Sequence, residues 1–143
     1  MVTPAKRGFP RTARLLRPTE FANVYDRRQS AASGPLVVYA AANGLADGRV
    51  RMGLSVSRRI GTAVVRNRWK RRLREAFRAE RESLPRGTDL VIVVRSGVPP
   101  AGAAGATQLR EAVAGLVKRI VSRPGYGKSV GEAAQRPRRR GGA

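Results

Sequence analysis

The stretch "VRNRWKRRLREAF", Val65 to Phe77, decides how this chain folds. Six of the nine residues from Arg66 to Arg74 are basic, and like charges on adjacent helical turns repel. At 3.6 residues per turn the side chains nevertheless separate cleanly. Val65, Trp69, Leu73, Ala76 and Phe77 gather within roughly a third of the circumference. Asn67, Arg68, Arg71, Arg74, Glu75 and Arg78 fill the far side. Burying Trp69, Leu73 and Phe77 at ~1.5–3 kcal/mol each outweighs several repulsions of ~0.2–0.5 kcal/mol. The spacing therefore predicts an amphipathic helix whose apolar stripe anchors it on a sheet and whose charges point outward.

Upstream, "VRMGLSVS" (Val50 to Ser57) alternates. Val50, Met52, Leu54 and Val56 share one face, and Arg51, Gly53, Ser55 and Ser57 the other, the pattern of a strand with one buried and one polar, small-residue face. "LVVYAAA" (Leu36 to Ala42) reads as another strand, and the turn-rich "NGLADG" (Asn43 to Gly48) suggests a hairpin between the two. "SGP" at 33–35 breaks the chain. Before it, "RPTEFANVYDRR" carries helix signals: Thr19 as N-cap, Glu20 in the first turn, and Phe21 and Tyr25 on one face.

Downstream, "DLVIVV" (Asp89 to Val94) is a continuous apolar run suited to a buried strand. Residues 96–107 read as a flexible loop, and Gln108 to Val121 repeats apolar residues at helical spacing. The order helix, strand, strand, helix, strand, helix favours a single α+β domain over residues 12–123, one sheet with helices on one face. Residues 1–11 read as a flexible basic arm and 124–143, rich in Gly, Pro and Arg, as a disordered basic tail.

The 143 residues carry 30 Lys and Arg against 9 Asp and Glu, a net charge of +21. Such self-repulsion favours a polyanionic partner, nucleic acid before an anionic membrane surface. The chain has neither cysteine nor histidine. That removes disulfides, thiolate nucleophiles, Cys/His zinc sites and the usual general base. The carboxylates are scattered, and Glu75, Glu80 and Glu82 lie among arginines, where surface ion pairs are the ordinary reading. No catalytic residue and no metal site is expected in the chain. With no apolar leader segment and no membrane-length apolar run, it reads as soluble and cytoplasmic. Binding is better supported: Phe21, Tyr25 and Tyr39 beside a basic groove suit a single nucleic-acid strand, whose bases stack while its backbone is neutralised.

"GLSVSRRIGTAVVRNRWKRRLREAF" closely resembles the signature of the protein subunit of bacterial ribonuclease P. The family pattern of R-N-R, an apolar residue, K-R and a further R matches Arg66-Asn67-Arg68, Lys70-Arg71 and Arg74, with Arg58-Arg59 at the preceding turn. "FPRTARLLRPTEFANVY" is similar to the family's N-terminal region, and the likeness spans roughly residues 9–121. Two departures stand out: Arg72 where the family usually has an apolar residue, and Trp69 in place of a smaller aliphatic.

The resemblance implies a ribosomal-protein-like α+β fold with a left-handed β-α-β crossover, against the usual preference. It implies a catalytic RNA as partner, which with Mg²⁺, bound mainly through the RNA, removes the 5′ leader of precursor tRNA. The chain would then be a subunit of a ribonucleoprotein endoribonuclease and hold no catalytic group itself; no obligate protein partner and no membrane association is implied. By motif match, Arg58, Arg59, Arg66, Asn67, Arg68, Lys70, Arg71 and Arg74 would face the catalytic RNA. Phe21, Tyr25 and Tyr39 would hold the leader, with Ser55 and Ser57 added from the polar strand face. The rival reading is a ribosomal or RNA-chaperone protein that binds structured RNA without substrate turnover.

Overall fold

The computed structural model describes residues 11–126. A short 3-10 turn at Arg11–Ala13 precedes α1 (Pro18–Asp26), β1 (Ser30–Ser33), β2 (Leu36–Ala42), β3 (Arg51–Val56), α2 (Ala63–Glu80), β4 (Thr88–Val94) and α3 (Gly102–Val121). The strands form one sheet in the order β1-β2-β4-β3. β2 pairs antiparallel with both β1 and β4, whereas β3 and β4 are parallel and joined through α2. The domain is α+β, with one strand more than the sequence pattern predicts.

That strand, β1, is only Ser-Ala-Ala-Ser, too short and too weakly apolar to signal itself. The hairpin expected across Asn43 to Gly48 does not form, because β4 lies between β2 and β3. The tight hairpin is β1–β2: Ser33 faces Leu36 across "SGP", and Gly34 takes φ 55°. Thr19 is not the N-cap of α1. Arg17 takes that place, so the helix starts at Pro18, two residues earlier than a Thr19 cap would give, and the Glu20 carboxylate accepts from the Leu16 and Arg17 N–H groups at 2.7 and 2.9 Å.

Nor do the helices share one face of the sheet. Leu36, Val38, Ala40, Met52, Leu90, Ile92 and Val94 face α2 and α3 in the main core. Ala41 and Val91, with the half-buried Tyr39 and Val93, face α1, whose Val24 completes a second, smaller cluster with Leu15. The cause is visible in β4. A strand apolar at every position from Leu90 to Val94 has two faces to cover, and α1 covers the second.

α2 is capped by Thr62, whose hydroxyl oxygen accepts from the Val65 N–H at 3.3 Å. Trp69, Leu73, Ala76 and Phe77 are buried, as the amphipathic spacing predicts. Trp69 is accommodated by donating its Nε1–H to the Gly97 carbonyl at 3.0 Å, which ties the loop after β4 to the helix. Helix α3 begins at Gly102 rather than Gln108. The alanines of "GAAGAT" favour helix. Gly105 lets this first turn lie against Pro100, whose carbonyl carbon would stand 2.5 Å from a Cβ at 105.

The expected N-terminal arm and C-terminal tail fall outside the described residues apart from Arg11 and residues 124–126. Tyr126, expected in the tail, instead packs half-buried against the main core.

Candidate nucleic-acid interface

The outward side of α2 carries the charge. Asn67, Arg68, Arg71, Arg74 and Arg78 are exposed, while Arg66 and Lys70 are partly covered. Arg66 Nε donates to the Gly61 carbonyl at 3.2 Å, fixing that side chain at the helix start. Arg58 and Arg59 are exposed in a 3-10 turn directly after β3. The R-N-R block therefore stands on a helix whose opposite stripe is locked in the core, with the Arg68 side chain exposed beside those of Arg71, Arg74 and Arg78; exposed guanidinium groups suit an anionic partner. Arg72 does not join them. It donates to the Gly102 carbonyl at 3.0 Å and ties α2 to the start of α3.

On the other face of the sheet, α1 lies over β2, β3 and β4. The ring of Tyr25 meets that of Tyr39 edge-on, centroids 4.8 Å apart and planes at 89°. The Ser55 side chain lies near the Tyr25 hydroxyl; burial pushes that hydroxyl above its ordinary pKa, and the neighbouring Ser55 offsets part of the rise. Phe21 packs on Gly53 so closely that a Cβ there would lie 2.5 Å from its Cζ. Phe21, Tyr25, Tyr39 and Ser55 are all partly exposed, so the structure gathers four of the five sequence-predicted cleft residues into one patch of rings and hydroxyl groups. Ser57 stands apart, exposed beyond the end of β3 at the entry to the Arg58–Arg59 turn.

A charge network holds α1 in place. Arg51 Nε and Nη2 donate to the two carboxylate oxygens of Asp89 at 2.9 and 2.7 Å, and Nη1 donates to Glu20 Oε2 at 3.2 Å. Asn43 Nδ2 donates to Asp89 Oδ1 at 2.9 Å. The Glu20 carboxyl is held below its ordinary value, first by the Arg17 N–H, then by the Leu16 N–H and the Arg51 charge, with burial opposing. Asp89 in turn holds Arg51 above its ordinary value. No motif in the sequence marks this trio. The available signal was Asp89, a carboxylate opening an otherwise apolar strand, which demands a buried cation.

Among the described residues no group of three or more His, Cys, Asp or Glu side chains could hold a metal ion. No described helix is long and apolar enough to cross a membrane.

Residues 9–121 match the Ribonuclease P family model. The ribonuclease P protein component of Brevibacillus brevis is 44% identical over 90 residues, covering 62% of this chain and 69% of that protein. That of Desulfovibrio desulfuricans is 41% identical over 87 residues, covering 61% and 67%. Among solved structures, the ribonuclease P protein of Thermotoga maritima superposes with a TM-score of 0.61 at 29% identity, covering 75% of this chain and 96% of that one. That of Staphylococcus aureus gives 0.60 at 26%, covering 77% and 95%. Signature, fold and relatives agree, and the chain belongs to the ribonuclease P protein family.

Proposed function

We propose that the chain binds the catalytic RNA of ribonuclease P through the outward face of α2 and the Arg58–Arg59 turn. The cleft between α1 and the sheet takes the single-stranded 5′ leader of precursor tRNA. The observation that carries this reading is the division of labour across the sheet: guanidinium groups stand exposed on α2, and three half-buried aromatic rings lie under α1 on the opposite face. Guanidinium groups suit phosphates of a structured RNA. Rings with a hydroxyl beside them suit unstacked bases.

Hydrolysis of the leader is assigned to the RNA with its Mg²⁺. Among the described residues no group of three or more His, Cys, Asp or Glu side chains could hold that ion, which suits this assignment. The protein's part is to neutralise phosphates and orient the leader, and a cysteine-free chain suits a reducing cytoplasm.

The test is cleavage of precursor tRNA by the cognate catalytic RNA at low Mg²⁺, with and without the protein. Protein-dependent release of an intact 5′ leader is expected. Cleavage indifferent to the protein, or cleavage by the RNA-free protein, contradicts the reading. An RNA chaperone or ribosomal protein would give no dependence on this particular pairing.

A further inference from the structure

We propose that Gly53 is a positioning residue of the cleft: by presenting no side chain it lets the Phe21 ring rest on the backbone of β3, and so sets the height of α1 above the sheet. The inference rests on the reading that this cleft takes the leader.

Three successive positions on the polar face of β3 each meet α1. Arg51 pairs with Glu20, Gly53 lies under Phe21, and Ser55 stands beside Tyr25. The outer two contacts reach the helix with side chains. The middle one works by absence. A Cβ at position 53 would lie 2.5 Å from Phe21 Cζ, 2.6 Å from Cε2 and 3.2 Å from Leu15 Cβ. The first two distances are shorter than real Cβ contacts.

The backbone does not ask for glycine here, because Gly53 is not among the residues with positive φ. Glycine inside a strand is also entropically unfavourable relative to alanine. What it provides is a close approach. Leu15 blocks one direction of retreat for the ring, being buried and fixed by its own N–H donating to the Met52 carbonyl at 3.0 Å. An added methyl must therefore displace the Phe21 ring, and with Leu15 closing one retreat the displacement is passed to the helix that carries it. Lifting α1 draws Tyr25 away from both Ser55 and Tyr39, which opens the ring patch without touching the basic face of α2 on the other side of the sheet.

The experiment uses the full chain reconstituted with the catalytic RNA, and precursor tRNAs with leaders of one to two or of about eight nucleotides. In wild type the longer leader is expected to bind more tightly. Gly53→Ala is expected to reduce that gain about tenfold, while its affinity for the catalytic RNA and for the short-leader precursor stays within about twofold of wild type. A Gly53→Ala protein that folds and keeps the full gain overturns the inference and leaves the leader reading standing. A wild type with no dependence on leader length defeats the leader reading and this inference with it.

Because Gly53→Ala can also unfold the domain, a double-mutant cycle of melting temperatures is run with Phe21→Leu. The shorter side chain makes room for the methyl, so Gly53→Ala is expected to cost clearly less in the Phe21→Leu background than in wild type. Strict additivity would show that the methyl does not act through Phe21 and would overturn the inference.

Discussion

Replacing Arg51 by methionine tests what holds α1 on the sheet. The guanidinium is mostly buried, its side chain 16% exposed, and it is the cation facing two carboxylates. Asp89 is the one that suffers when it is removed. It is 6% exposed and would keep Asn43 as a donor, but among the described residues no ion-paired cation. Leaving one member of a buried pair uncompensated costs ~3–5 kcal/mol, and the remaining amide donor places Arg51→Met near ~3 kcal/mol. Glu20 adds less, since its side chain is 26% exposed and keeps its two backbone donors. For a domain of this size the melting temperature should fall by about 10–15 °C.

Arg49→Met is the control. It removes the same charge from a chain of net charge +21 and so relieves the same general repulsion. Its Asp47 partner is solvent-exposed, so its loss should matter far less. Urea unfolding can be followed through Trp69, the single tryptophan, buried on the far side of the sheet from Arg51. If Arg51→Met is no more than about 1 kcal/mol less stable than Arg49→Met, the network is not what anchors α1.

Other outcomes follow from the same geometry. Arg68→Ala and Arg71→Ala should each weaken binding to the catalytic RNA and lower the log–log salt slope by about 0.7–0.9, measured by titration at several salt concentrations; an unchanged slope would make them a merely solvated face. Tyr39→Ala should cost roughly 1–3 kcal/mol in affinity for long-leader precursors and little for short ones, with thermal melts as the folding control. Glu20, whose folded pKa lies below its unfolded value, contributes stability that is present at neutral pH and is lost as pH falls below about 4.5 through the folded pKa. Glu20→Gln should therefore be less stable than wild type at pH 7, and the gap should narrow in acid unfolding curves below that pH.

The sequence was most legible where one physical pattern dominated a segment. The period of Val65 to Phe77 placed every buried and exposed residue of that stretch correctly, because its apolar stripe and charged face leave one orientation. The alternation through β3 sorted its residues to the right faces, with Met52 in the main core and Leu54 and Val56 packed partly buried against it, and with Arg51, Gly53 and Ser55 under α1. The second face is covered too, so Gly53 is buried rather than exposed. The failures share a different cause: they depended on partners distant in the chain. β2 and β3 looked like a hairpin because adjacent strands with a turn between them usually pair, and nothing local says that β4 inserts between them. The two-sided burial of β4 was written in its unbroken apolar run, but reading α1 onto the second face required the sheet order first. The start of α3 was hidden by glycines and alanines, which serve loops and tight helix packing alike. In the candidate site, the basic block and the aromatic residues were legible by type and motif. Their separation onto opposite faces of the sheet was not, since that is a property of tertiary packing.

The central claim is that these two faces touch different RNAs, and site-specific photocrosslinking tests it most directly. A photoreactive residue is placed at position 39 or at position 68, in the complex assembled with the catalytic RNA and a long-leader precursor. The account predicts that position 39 crosslinks to the leader and position 68 to the catalytic RNA. Crosslinks from both positions to the same RNA, or the reverse pairing, would contradict it.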